Sequence, residues 1–228
     1  MLRPFQVLCL LIFFSVIFSV IASASSQTQT QAPAPAVVTF TLDFPSSQPE
    51  HYSIRVQSDG PARYESSGRL SADSDETDSF ELSFTVAAET RRKIFDLTAK
   101  AGYFQNDVDS HRKGMAFTGK KTLTYGDAQR SGASTYNYPS HPAVQELTTL
   151  MQSLSATLEF GHRLQYDRRY QKLALDEELK RMEEMARANQ LLEITAIQTI
   201  LDQIVADPSV INVTRARAQR LLERTGGQ

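Results

Sequence analysis

The period of the hydrophobic pattern changes along this chain, and that change limits its fold more than any other feature. Val38, Phe40, Leu42 and Phe44 alternate with Thr39, Thr41 and Asp43; Tyr52, Ile54 and Val56 alternate with Ser53, Arg55 and Gln57; Phe80, Leu82, Phe84 and Val86 alternate with Glu81, Ser83 and Thr85. Successive side chains of a strand point to opposite faces, so a period of two marks strands with one wet face. Asp59-Gly60 carries hairpin chemistry, loosened by Pro61, and predicts an antiparallel return strand at 62–65 or slightly beyond. After Val86 the period becomes helical: Ile94, Leu97, Thr98 and Ala101 share one face opposite Arg91, Arg92 and Lys93, and Gly102 is placed to end the helix. Tyr103 and Phe104 then return to the core, and two short strands, 121–125 and 134–138, are joined through Gly126-Asp127 and Ser131-Gly132. This order predicts an α+β fold, an antiparallel sheet with one packed helix.

From Pro142 the spacing is that of helices. Val144, Leu147, Met151, Leu154 and Leu158 form a seam that breaks at Gly161 and Gln165; it restarts at Leu175, Leu179, Met182 and Ala186, then at Ile194, Ile197, Leu201 and Val205, then at Ile211, Thr214, Ala218 and Leu221. Four helical segments follow, the last two separated at Asp207-Pro208-Ser209. Each is too short for a long coiled coil. The expectation is an intramolecular tail or bundle and a monomeric chain, with a dimer through this seam as the alternative.

The N-terminus reads as an address. Arg3 precedes an apolar run from Val7 to Ile21, and Ala22-Ser23-Ala24 offers the small-x-small pattern of signal peptidase cleavage. An uncleaved membrane anchor is the alternative. Residues 1–24 are thus expected to be a signal peptide, 25–36 a disordered Gln/Thr/Pro linker, 37–141 the sheet domain and 142–228 the helical region. The single cysteine, Cys9, lies in the signal, so the exported chain, periplasmic or secreted, must be held by packing rather than disulfides.

The 228 residues carry 24 Lys+Arg against 26 Asp+Glu, which argues against nucleic acid as a partner. Without a cysteine after the signal there is no thiolate nucleophile and no Cys-ligated zinc. His51, His111, His141 and His162 show no ligand spacing, and no Gly-rich phosphate loop or Gly-x-Ser-x-Gly elbow occurs. No catalytic residue and no cofactor are expected. Two acidic stretches are candidate metal sites. Asp73, Asp75 and Asp78, with Glu76, have a composition suited to calcium, but neither the Gly nor the acid of an EF-hand falls in place, Phe84 standing at the twelfth position. Asp107, Asp109 and His111 alternate and would share one side of an extended segment. Tyr166, Arg168, Arg169 and Tyr170, followed by Lys172, interleave aromatic and basic groups as protein interfaces do, and are the candidate partner-binding surface. Asn212-Val213-Thr214 matches a glycosylation acceptor but lies on an expected helix.

The stretch from Tyr52 through Asp59-Gly60 to Tyr64, the helix with Ile94, Phe95 and Leu97, Tyr103-Phe104, the strand at Tyr125 and the helix at Pro142 resemble a domain of unknown function found in exported bacterial proteins. The resemblance covers about 37–158. It departs where many such domains carry Cys-Pro and this chain has Pro49-Glu50-His51. The segment from Leu158-Glu159-Phe160-Gly161 to Leu221-Leu222-Glu223 is similar to helical tails of other uncharacterised exported bacterial proteins. Neither resemblance implies an activity. The expected function is that of an exported, non-enzymatic binding or interaction module of the bacterial cell envelope with a protein partner there. The alternative is an envelope hydrolase or metal-dependent enzyme with its site on the sheet loops. Exported material is expected to begin at Ser25; N-terminal sequencing or intact mass checks this, and a full-length membrane-embedded species would contradict it.

Overall fold

The computed structural model describes residues 34–45, 47–69 and 76–225. The signal peptide, most of the linker, and Asp73 and Asp75 lie outside the described residues. Six strands, β1 (Val37–Asp43), β2 (His51–Gln57), β3 (Pro61–Arg69), β4 (Thr77–Thr85), β5 (Lys120–Gly126) and β6 (Ser131–Tyr136), form one antiparallel sheet in the order β4-β3-β2-β1-β5-β6. Helix α1 (Ala88–Lys100) connects β4 to the second half of the sheet; α2 (Pro142–Tyr170), α3 (Ala174–Arg187), α4 (Gln198–Ala206) and α5 (Asn212–Thr225) complete the chain. This is the α+β fold expected from the change in period.

The register aligns the apolar alternation across all strands. Leu82, Tyr64, Ile54, Phe40, Leu123 and Ser134 stand in one row, and Phe84, Ala62, Val56, Val38, Tyr125 and Gly132 in the next. A slip of one residue would turn every one of these side chains to water, so burial of one face specifies the pairing. Gly132 belongs to β6 rather than to a turn: a Cβ there would lie 2.1 Å from the Tyr103 carbonyl oxygen, where the 3-10 turn Gly102–Phe104 crosses the strand. The turn between β5 and β6 is closed instead by Asp127, whose Oδ1 accepts from the amides of Gln129 and Arg130 at 2.7 Å.

Two helices, not one, share the covered face. Ile94, Leu97 and Thr98 of α1 and Val144, Leu147, Met151, Leu154 and Leu158 of α2 are buried, and the Tyr64 hydroxyl on β3 meets Ser155 on α2 at 3.1 Å. The helix that opens the tail is therefore also the second cover of the sheet. It begins at Pro142, which has no amide hydrogen to satisfy, with His141 Nδ1 accepting from the Ala143 amide at 3.2 Å. The expected break at Gly161 is absent, and α2 runs for 29 residues. Gly161 is there for close approach: a Cβ would stand 2.5 Å from Ile197 Cγ2.

Leu175, Leu179, Met182 and Ala186 of α3 are buried by the same chain, opposite Ala218 and Leu221 of α5, with Ile200, Leu201 and Ile204 of α4 beside them. Ile211, expected in the seam, is 58% exposed and Val210 is buried in its place, because α5 starts only at Asn212. Glu183 of α3 is buried under Arg217 Nη1 at 2.8 Å and Arg220 Nε at 2.7 Å; burial pushes its pKa up, but the two guanidinium groups outweigh that and hold it below the usual carboxylate range. Among the described residues no helix is long and apolar enough to cross a membrane.

Two substitutions test this packing. Leu179→Asp places an unpaired charge among apolar side chains and should cost about 3 kcal/mol or more, measured by urea unfolding, with the light-scattering mass remaining that of a monomer. Gly161→Ala should destabilise by about 1–3 kcal/mol although alanine is the better helix former, and Ile197→Ala in the same chain should recover part of that loss.

Candidate functional site

Glu159, His162, Arg163, Tyr166 and Asp167 follow one another on α2 at helical spacing, so they form a single stripe. The stripe continues the apolar seam of the same helix past the end of the sheet cover. It faces Ser66, Ser67, Gly68 and Arg69 at the end of β3, Asp78 on β4, Gln48 and Pro49 in the loop before β2, and Gln171. Between them lies a cleft of about 400 Å³, the volume of a small ligand.

Glu159 is the floor of this cleft, 8% exposed. Its Oε1 accepts from the Tyr64 hydroxyl and from Ser66 Oγ, both at 2.7 Å. Its Oε2 faces His162 Nδ1 at 3.7 Å, too far for a hydrogen bond. Burial pushes the Glu159 pKa up, but His162, Ser66 and Tyr64 together outweigh this and leave it below the usual range. The Tyr64 phenol is pushed far up by burial and then by the Glu159 charge, so it stays a donor. The imidazole of His162 stacks on Phe80 with ring centres 4.4 Å apart, and its Nε2 lies 3.1 Å from Asp78 Oδ2. Each ring nitrogen thus faces a carboxylate oxygen. Ser66 Oγ donates to Glu159 and not to His162, so among the described residues no hydroxyl is paired with the imidazole as a nucleophile with its base.

The residues expected from the sequence fall in three places. Asp78 joins the cleft through His162, while Asp73 and Asp75 lie outside the described residues. Asp107, Asp109 and His111 lie near the opposite edge of the sheet, beyond β6. His111 Nε2 is 2.6 Å from Asp107 Oδ2, whereas Asp109 accepts from the backbone amides of His111 and Asn137 at 3.0 and 3.1 Å. The His111 hydrogen bond lowers the Asp107 pKa, and Asp107 raises that of His111. Among the described residues no three His, Cys, Asp or Glu side chains are placed to hold a metal ion.

The aromatic and basic surface is split by the helix. Tyr166 lines the cleft, and its ring centre is 5.1 Å from that of Tyr170. Arg169 lies over Tyr170 at 5.8 Å. Arg168 turns toward the turn between α4 and α5, donating to Gln203 Oε1 at 3.2 Å and standing 3.5 Å from Asp207, and Lys172 pairs with Ser209 and Asp207 there. The open surface includes three large apolar or aromatic side chains, Tyr166 at 47%, Tyr170 at 65% and Leu173 at 90% exposure, beside the exposed Arg169 and Lys172.

Glu159 and His162 are not among the site residues expected from the sequence: His162 has no ligand spacing to another histidine, and nothing local marks Glu159 as buried. The signal that finds them is the polar stripe at i, i+3, i+4, i+7 and i+8 immediately after an apolar seam.

Glu159→Gln should cost about 1–3 kcal/mol at pH 7, the usual scale for hydrogen bonds to a charged group. Because the folded-state pKa of Glu159 is lowered, its contribution is present above the ordinary glutamate range and is lost as pH falls through the lower folded value. The stability gap between the two proteins should therefore close below about pH 4, as followed by urea unfolding at a series of pH values. No protein-family model and no curated protein matches this chain.

Proposed function

We propose that the chain is an exported, non-enzymatic binding module of the bacterial cell envelope, and that it holds a partner at the α2 cleft and the tyrosine pair beside it. The observation that carries this reading is the arrangement around His162. Both ring nitrogens are turned to carboxylates and none to a nucleophile, which suits a rigid polar wall better than proton transfer to a substrate. Tyr166 and Tyr170 extend that wall with exposed aromatic surface, a side-chain type that carries much of the binding energy when a partner excludes water from it. The small-x-small cleavage pattern at Ala22-Ser23-Ala24 supports export, and the sequence resemblance to exported bacterial proteins points the same way.

The test uses the chain from Ser25 onward and its Tyr166→Ala, Tyr170→Ala form, each offered to a detergent-solubilised envelope fraction. The unaltered chain should retain at least one component about tenfold better than the variant, corresponding to about 1.4 kcal/mol. Identical retained sets, or release of a new cleavage product from the envelope material, would defeat the reading.

A further inference from the structure

Among the described residues, the charged groups of the cleft together with their ion-pair partners include more carboxylates than cations. Arg69 Nε is 2.8 Å from Glu50 Oε1, and Arg163 pairs with Glu178, which also accepts from Arg181 at 3.0 Å. Among the described residues five carboxylates, those of Glu50, Asp78, Glu159, Asp167 and Glu178, meet three guanidinium groups and the imidazole of His162.

Two of the carboxylates are incompletely satisfied. Glu159, nine-tenths buried, lines the cleft, and among the described residues no donor lies within hydrogen-bond distance of its Oε2, both hydroxyls being taken by Oε1 and His162 Nδ1 standing 3.7 Å away. Asp167 is half-buried in the same cleft, and among the described residues no donor hydrogen-bonds its carboxylate. Burial and then the Glu178 charge raise its pKa, and the Arg163 guanidinium that opposes them is committed to Glu178. Next to Asp167 in sequence, Tyr166 contributes a half-exposed ring to the same wall. A partly desolvated carboxylate beside an aromatic face is the environment that favours an organic cation, through charge pairing and cation–π attraction together.

We propose that the α2 cleft receives an alkylammonium or guanidinium group, with Asp167 as its ion-pair partner and Tyr166 as its aromatic wall. The proposal rests on the binding-module reading and gives it a ligand chemistry. A bare divalent ion fits less well: the cleft is far larger than an ion, and among the described residues no three ligating side chains converge. A basic side chain on a polypeptide and a free diamine present the same chemistry.

The experiment is a calorimetric titration of the chain from Ser25 with end-blocked Gly-Lys-Gly and Gly-Arg-Gly peptides, the same lysine peptide acetylated on Nζ, end-blocked Gly-Glu-Gly, 1,5-diaminopentane, and calcium chloride. The lysine and arginine peptides should bind, the acetylated and acidic peptides should not, and added salt should weaken the binding. Asp167→Asn should weaken it about tenfold, while Glu177→Gln, an exposed α3 carboxylate outside the cleft, should leave it unchanged. Diamine binding as tight as that of the peptides would assign the source to free amines and keep the cationic chemistry; weaker diamine binding would assign it to a polypeptide. Equal binding of the acetylated and free lysine peptides would overturn the proposal in the unaltered protein, whether or not the variants fold. Binding of calcium in preference to every organic cation would overturn it as well. If the acidic peptide alone binds, the cationic chemistry fails while the binding-module reading stands; that reading is decided separately by retention from the envelope fraction.

Discussion

Helix α2 has to satisfy three environments along one 29-residue run, and the rest of the structure depends on how it does so. Its first half lays Val144, Leu147, Met151, Leu154 and Leu158 on the sheet, each fully buried. Burial of one such side chain is worth about 1.5–3 kcal/mol, so this seam, together with the buried face of α1, keeps the sheet face covered. At Gly161 the helix loses its side chain so that Ile197 can approach, which is where the later helices close against it. Between the seam and that contact sits Glu159, reached by hydroxyls from β3.

A carboxylate in that position is costly to desolvate, and the surrounding donors decide whether it is tolerated. Tyr64 and Ser66 come from adjacent alternating positions of β3 that both face the covered side, so the register of the sheet delivers the two hydroxyls to the same oxygen. His162, one turn along α2, turns a nitrogen toward the other. The tail uses the same solution at Glu183, buried under Arg217 and Arg220 between α3 and α5. In both places a buried acid locks two elements in one relative position, because sliding either element would leave a charge without its donors.

The cleft is built mainly on β3, β4 and α2, with Gln48 and Pro49 from the loop before β2. Where the end of β3 faces the polar continuation of α2, the positions that would be apolar in a core are instead Ser66, Asp78, His162, Tyr166 and Asp167. Its wall is held firmly by Phe80 stacking on His162 and by the Arg163 pair with Glu178. Preorganised polar groups of this kind lose little entropy when a ligand arrives.

The alternation from Val38 to Val86 by itself determined the first strands, their antiparallel hairpin and the face they bury, because a period of two has one structural meaning when one side must leave water. The seams at Val144 and Leu175 likewise determined the helices and their apolar sides. What only the tertiary structure decided is which seam meets which. Leu179 could have closed on a second chain; it is fully buried within this one, where α3 packs against α5 and α2. Gly161 read as a helix end because glycine disfavours helix interiors, and only the approach of Ile197, 36 residues later, explains it inside one. Glu159, His162 and Asp78 were three scattered polar letters, and no local signal joins a residue of β4 to residues of α2. Long-range packing brings them to one cleft, where burial, which a sequence does not display, gives their charges chemical weight.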